Sequence, residues 1–217
     1  MDNDTDSLPL IELAFNNYIA ARYLLKNKFV LQGVTLATAS VVKYLSAILI
    51  YERKYICMSL YDFEGLKYSL NSRKTDFTTK IDENFFEILG KVHERQSFSN
   101  PNFLITIGFF VNQFLCELDY SINYFENVFS ENNIDKNGNE VSSSYQMYAS
   151  ENNSALVLNN YLYNRLSKKE FMEQPDNGYF INTASNKWDG NFLIEKQNVL
   201  NKYDGKIALI AENFQLV

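Results

Sequence analysis

Two cations stand out for chemistry: Arg22 in "NNYIAARYLLKN" and Lys43 in "ATASVVKYLSAILIY", the latter the only charge between Gly33 and Glu52. Arginine offers a rigid fork of donors and lysine a point charge, so together they could hold a phosphate at the surface of a helical bundle. The same two residues could instead lay their stems along a core and meet a carboxylate. Glu117 and Asp119 are the candidate partners for that arrangement.

Other reactive residues are sparse. The single histidine, His93, sits in "KVHERQ" with no Cys, Ser or Asp context of a catalytic dyad, and reads as an ordinary surface residue. Arg95 follows it by two positions, which puts the two side chains on different faces of a helix. Two distant cysteines, Cys57 and Cys116, lie in apolar surroundings and read as buried thiols. With one histidine they make no zinc set. "DKNGNEVSSSYQ", 135–146, imitates a calcium loop at Asp135, Asn137 and Asn139. Its sixth place is Glu140 rather than glycine, and its twelfth is Gln146 rather than glutamate, so a solvated loop is expected. No glycine-rich phosphate loop is present. The expectation is therefore no catalytic residue, no metal and no cofactor.

Charge bounds the partners. The 217 residues carry 20 basic and 26 acidic side chains, a net of −6. Residues 101–150 hold one lysine against six acids. A nucleic-acid binder is normally basic, so only local patches qualify: "ERK" at 52–54, "SRK" at 72–74 and "RLSKK" at 165–169. Arg53, Lys54, Arg73 and Lys74 are the candidate RNA contacts. The acidic start "MDNDTDSLPL" lacks the basic and apolar regions of a secretory signal, and no membrane span is expected, which points to the cytoplasm.

The elements that must position these residues are mostly helices. Hydrophobic residues make up 46% of the chain and aromatic ones 15%, enough for a packed core. Ser7 and Pro9 suit the start of a first helix. Ile11, Phe15, Tyr18, Arg22 and Leu25 share one stripe of it. A second helix, from about Leu31 to Arg53, is apolar on nearly all sides and should be central. Its small residues, Thr35 to Ser40, mark a close approach, with Ala39 among them. The short link makes the two an antiparallel hairpin.

Further along, a short helix is expected within 57–71, and a third full helix follows Asp82. A long fourth helix should start near Pro101 with Leu104, Ile107, Val111, Phe114, Leu118, Ile122, Phe125 and Phe129 as its stripe. Phe109 and Phe110 would lie beside that stripe and favour a homodimer. A polar loop after Asn132 leads to one more helix over 153–169. Tyr145, Tyr148, Tyr161 and Tyr163 near Arg165 belong to the core or to a binding surface. The tail, with turn signals at Asn177-Gly178, Asp189-Gly190 and Asp204-Gly205, leaves "GYFIN" and "KIALIAENF" open between strand and short helix. The fold class is thus all-α or mainly α: an antiparallel up-and-down helical bundle over 8–132, with 133–217 as a loop, a helix and a mixed extension packing on it.

The run from Ala14 to Leu49 resembles the HEPN family (higher eukaryotes and prokaryotes nucleotide-binding domain) in Tyr18, Ala21-Arg22, Ala37 to Ala39, Lys43-Tyr44-Leu45 and Ala47. The likeness extends over roughly 10–130. It departs from the family at Val42 and Ser46, where a Glu and a Lys are common. The ribonuclease branch needs an Arg four to six residues before a His; here 86–89 read "FEIL", so that pair is missing. The resemblance implies a bacterial cytosolic protein, often dimeric, acting on or near nucleotides or RNA, here as a non-catalytic binding or interaction module. A nuclease with an unusual site and a purely structural partner of another protein are the alternatives.

Overall fold

A computed structural model describes residues 4–51, 63, 65–66, 81–97, 106–130, 142–174, 178–182, 193–195 and 208–210. They are mainly helical. The helices are α1 (Asp4–Lys26), α2 (Val30–Tyr51), α3 (Glu83–Ser97), α4 (Val111–Ser130), α5 (Ser144–Ser150), α6 (Ser154–Val157) and α7 (Lys168–Met172). The strands are β1 (Thr106–Phe110), β2 (Gly178–Asn182), β3 (Leu193–Glu195) and β4 (Ala208–Ile210). Arg53, Lys54, Cys57, Arg73, Lys74, Pro101, Leu104 and 135–140 fall outside the described residues, as does all of the expected 57–71 helix except Phe63, Gly65 and Leu66.

The α1 stripe is buried along its whole length: Ile11, Phe15, Tyr18, Arg22 and Leu25 all face inward. The helix itself begins at Asp4, so Ser7 and Pro9 lie within it rather than at its start. Its other end is a Schellman stop. Lys28 takes a left-handed φ of 67°, its N–H donates to Leu25 O, and the Phe29 N–H reaches back to Leu24 O. The chain then reverses into α2.

The α1–α2 contact is tight at both ends. A Cβ on Gly33 would lie 2.6 Å from Leu25 Cγ and 3.1 Å from the Leu25 backbone nitrogen. Farther along, the Ser40 hydroxyl donates to Ala14 O at 2.7 Å. Position 33 thus meets 25 and position 40 meets 14, an antiparallel register. Gly33, Ala37 and Ser40 are buried, whereas Ala39 is half-exposed and does not mark the close approach. By length and composition α2 could cross a membrane. Most of its apolar surface is covered instead by α1, α3 and α4.

Asp82 opens α3 as expected, its carboxylate accepting from Asn84 N–H at 2.9 Å. Phe85 of α3 packs edge-on to Phe114 of α4 at 5.0 Å, and Tyr44 of α2 stacks on Phe125 at 5.6 Å. The expected long helix from Pro101 is corrected. Residues 106–110 are a strand, with Ile107 and Phe109 both buried, and the helix starts only at Val111. β1 is an inner strand of a sheet ordered β3-β2-β1-β4, all neighbours antiparallel. Ile107 pairs with Ile181 on one side and Leu209 on the other. A short apolar run reads equally as helix or strand, and pairing with segments some 70 and 100 residues away decides it. Phe109 packs on Phe114 at 4.9 Å, so it is core rather than a dimer surface.

The single helix expected over 153–169 is also broken. Asn159 and Arg165 have φ of 53° and 57°, and turns separate α6 from α7. Asparagine tolerates that conformation, and the Asn160 carboxamide accepts from Leu162 N–H at 3.1 Å in place of a helical bond. Ser143–Gln146 and Ser167–Glu170 form capping boxes that start α5 and α7. Gln146, the last place of the calcium-like loop, is therefore a capping residue.

Candidate functional site

The polar residues that the helices bring together form a buried cluster between α1, α4 and the turn after α6. Arg22 is 1% exposed and Asp119 0%. The guanidinium Nη1 donates to Asp119 Oδ1 in a short ion pair, and Nη2 donates to Leu158 O at 2.9 Å. The Tyr18 hydroxyl donates to the same Oδ1 at 2.7 Å and accepts from Asn160 Nδ2 at 3.4 Å. Lys26, one turn beyond Arg22, also donates to Leu158 O. One carboxylate and one backbone carbonyl thus gather two cations and a phenol, and a carboxamide donates to the phenol oxygen.

The electrostatics follow from burial. Loss of water pushes the Asp119 carboxyl above its ordinary value, against the pull of Arg22 and Tyr18. Burial also works against the Arg22 charge, but Asp119 outweighs it and holds the guanidinium protonated. Burial pushes the Tyr18 phenol up, and Asp119 pushes it further, so it stays a neutral donor. Lys26 is pulled down to about 8, first by burial and then by Arg22.

A second pair lies two turns along α4. The Tyr44 hydroxyl donates to Glu126 Oε1 in a short buried bond. Burial raises the Glu126 carboxyl, and the hydroxyls of Ser143 and Tyr44 only partly offset it. A third contact joins α7 to α4: Lys168 Nζ lies 2.5 Å from Glu117 Oε1 and 5.8 Å from the Tyr120 ring centroid. Glu117 Oε2 also accepts from Asp82 N–H at 3.3 Å.

The candidate phosphate ligands end in different settings. Arg22 is the internal cation just described. Lys43 is half-exposed on α2, with its Nζ 3.4 Å from Ala39 O, and burial lowers its pKa. Among the described residues no shared partner joins the two, and neither Glu117 nor Asp119 pairs with Lys43. Among the basic runs, only 165–169 is described, and its lysines are matched, Lys168 by Glu117 and Lys169 by Glu173 at 3.8 Å. His93 is corrected from surface to core. It is 8% exposed, with its ring 6.0 Å from that of Phe63. Tyr145 and Tyr161 are buried, and Tyr148 packs edge-on to Phe15 at 5.0 Å. Cys116 is a buried free thiol that burial pushes up and makes unreactive.

Sequence reasoning missed Tyr44–Glu126, Asn160 and the Leu158 carbonyl. The first was legible in principle, because Asp119 and Glu126 are seven apart and share a face of α4. A backbone carbonyl after a broken helix leaves no sequence signal. Among the described residues no group of three metal-ligating side chains occurs. No protein-family model, curated protein or solved structure matches this chain.

Proposed function

We propose that the chain is a non-catalytic, HEPN-like interaction module built as an antiparallel up-and-down helical bundle. It works by binding, with a protein partner or a second copy as its most direct target. The observation that carries this reading is the fate of Arg22. Its guanidinium is enclosed, neutralised by Asp119 and bonded to Leu158 O, so it holds the fold together instead of facing a ligand. Tyr18, Ala21, Ala37, Thr38, Tyr44, Leu45 and Ala47, further positions of the resemblance, are also buried, whereas Ala39 and Lys43 are half-exposed. The burial of His93 beside Phe63 supports the same reading.

Nucleotide or RNA binding is the second reading. It rests on Lys43 and on Arg53, Lys54, Arg73 and Lys74. Two measurements separate the readings. Purified protein incubated with labelled single-stranded RNA, with and without magnesium or manganese, should leave it intact; cleavage lost in His93→Ala refutes the proposal. An absorbance ratio of the purified protein near that of nucleotide-free protein, with a dimer by light scattering, favours the protein-interaction reading. Salt-sensitive RNA retention favours the second.

A further inference from the structure

Five large apolar side chains stand well out of the described surface: Leu13, Tyr23, Phe29, Met147 and Leu158. Three of them gather at the tip of the α1–α2 hairpin. Tyr23 is 66% exposed on the last turns of α1, and Phe29 is 56% exposed just past the Schellman stop. Leu158 is brought there because Arg22 and Lys26 both hold its carbonyl, while its side chain is 62% exposed. Two lysines accompany them, Lys26 and Lys28, and no carboxylate pairs with either among the described residues. Lys28 occupies the left-handed position of the stop, where glycine would be the comfortable residue. Lys28 thus places a cation at a strained backbone position.

We propose that this hairpin tip docks onto an anionic lipid surface, with Tyr23, Phe29 and Leu158 entering the interface and Lys26 and Lys28 on the headgroups. Two aromatics and a leucine beside lysines match what the bilayer interface accepts. A second copy on a twofold axis would bring Lys26 and Lys28 against their own images, which like charges oppose. A single-stranded nucleic acid would use the two rings, but the aliphatic Leu158 offers no stacking face. This inference goes beyond the interaction-module reading and does not depend on it.

The test is co-sedimentation of the full chain with vesicles of equal parts phosphatidylglycerol and phosphatidylcholine, against pure phosphatidylcholine. The chain should pellet with the first and far less with the second, and salt should weaken it. Lys28→Gly relieves the strained φ while removing one charge. It should bind the anionic vesicles about fivefold more weakly and melt no lower than the parent. Leu158→Ala keeps the carbonyl that Arg22 and Lys26 hold, so combined with Tyr23→Ala and Phe29→Ala it should abolish binding without unfolding. Parent protein that stays in solution with anionic vesicles overturns the proposal, and so does equal pelleting of the triple variant. Two other results overturn it in favour of another occupant: a dimer that Phe29→Ala dissolves, or oligonucleotide binding that needs Tyr23 and Phe29. RNA cleavage by the parent would instead count against the interaction-module reading and leave this surface untouched.

Discussion

Asp119→Ala should be among the most damaging single changes available in this chain. It leaves the Arg22 guanidinium, 1% exposed, with only the Leu158 carbonyl. It also leaves the Tyr18 hydroxyl without its acceptor. Breaking a buried ion pair from one side costs about 3–5 kcal/mol, and an orphaned buried hydroxyl about 1 kcal/mol more. A loss of about 4 kcal/mol is a large part of the 5–15 kcal/mol that stabilises an ordinary domain, and corresponds to roughly 10 °C in melting temperature. Arg22→Met is gentler at low pH, because the carboxylate left behind can take a proton. Burial already raises Asp119, and without Arg22 only the weaker pull of Lys26 and the Tyr18 hydrogen bond oppose it. A raised folded pKa means that the folded state binds the proton more tightly, so stability falls as pH rises from the ordinary aspartate value through the folded one. The Arg22→Met deficit should therefore grow from acid to neutral pH. The assay is urea unfolding of parent, both single variants and Arg22→Met/Asp119→Ala at several pH values, since guanidinium salt would screen the charges. The double variant should be less unstable than the two single losses added together, by about 2 kcal/mol. Additive losses below about 1 kcal/mol, or an Arg22→Met deficit flat in pH, would refute a buried, mutually dependent pair.

Three further outcomes follow from the same packing. Gly33→Ala should destabilise by about 1 kcal/mol: the new Cβ meets the buried Leu25 side chain and backbone, which outweighs the roughly 1 kcal/mol that alanine gains over glycine in a helix; a higher melting temperature would mean the hairpin has room to spare. Lys26, held down to about 8, binds its proton less tightly folded than unfolded, so the parent should gain stability relative to Lys26→Met as pH rises from about 8 through the ordinary lysine range; a parallel pair of pH profiles would contradict this. Glu126→Gln should raise the melting temperature at neutral pH and change it little in acid, because among the described residues the buried carboxyl has hydroxyl but no cationic partners and its folded pKa is raised; calorimetry showing a loss at neutral pH would indicate that the charge itself is wanted there.

The parts of the fold legible in the sequence are those that local periodicity dictates. The α1 stripe from Ile11 to Leu25 and the central character of α2 follow from three- and four-residue spacing, and Asp82 announces α3 by its type. Arg22 on the apolar stripe required a carboxylate, and Asp119 supplies it. What was not legible depends on distant chain. Ile107 and Phe109 read as helix because nothing nearby says that 178–182 and 208–210 will pair with them. The helix expected over 153–169 fails at Asn159 and Arg165, where turn geometry and the contacts of Leu158 and Asn160 win over propensity. His93 lay among charged neighbours in sequence, yet its ring is turned to Phe63. Burial of one side chain is a tertiary fact that its flanks do not report.

The apolar contacts of α1, α2 and α4 are broad and non-directional, and leucine, phenylalanine and alanine would pack nearly as well with one helix shifted along another. The polar contacts are not so tolerant. Tyr18 must meet Asp119, and Tyr44 must meet Glu126 two turns farther along the same face of α4. A slide of either tyrosine by one turn would leave a buried carboxylate and a buried phenol unpaired together, a penalty of several kcal/mol for a shift that apolar packing would barely register. Arg22 and Asn160 extend the same constraint to the segment after α6, which has little helix of its own to place it. Tyr18, Arg22 and Tyr44 are thus the positions that fix helix register. A pattern of this kind carries information about how the helices sit, and a ligand has to be sought on the faces those residues leave free.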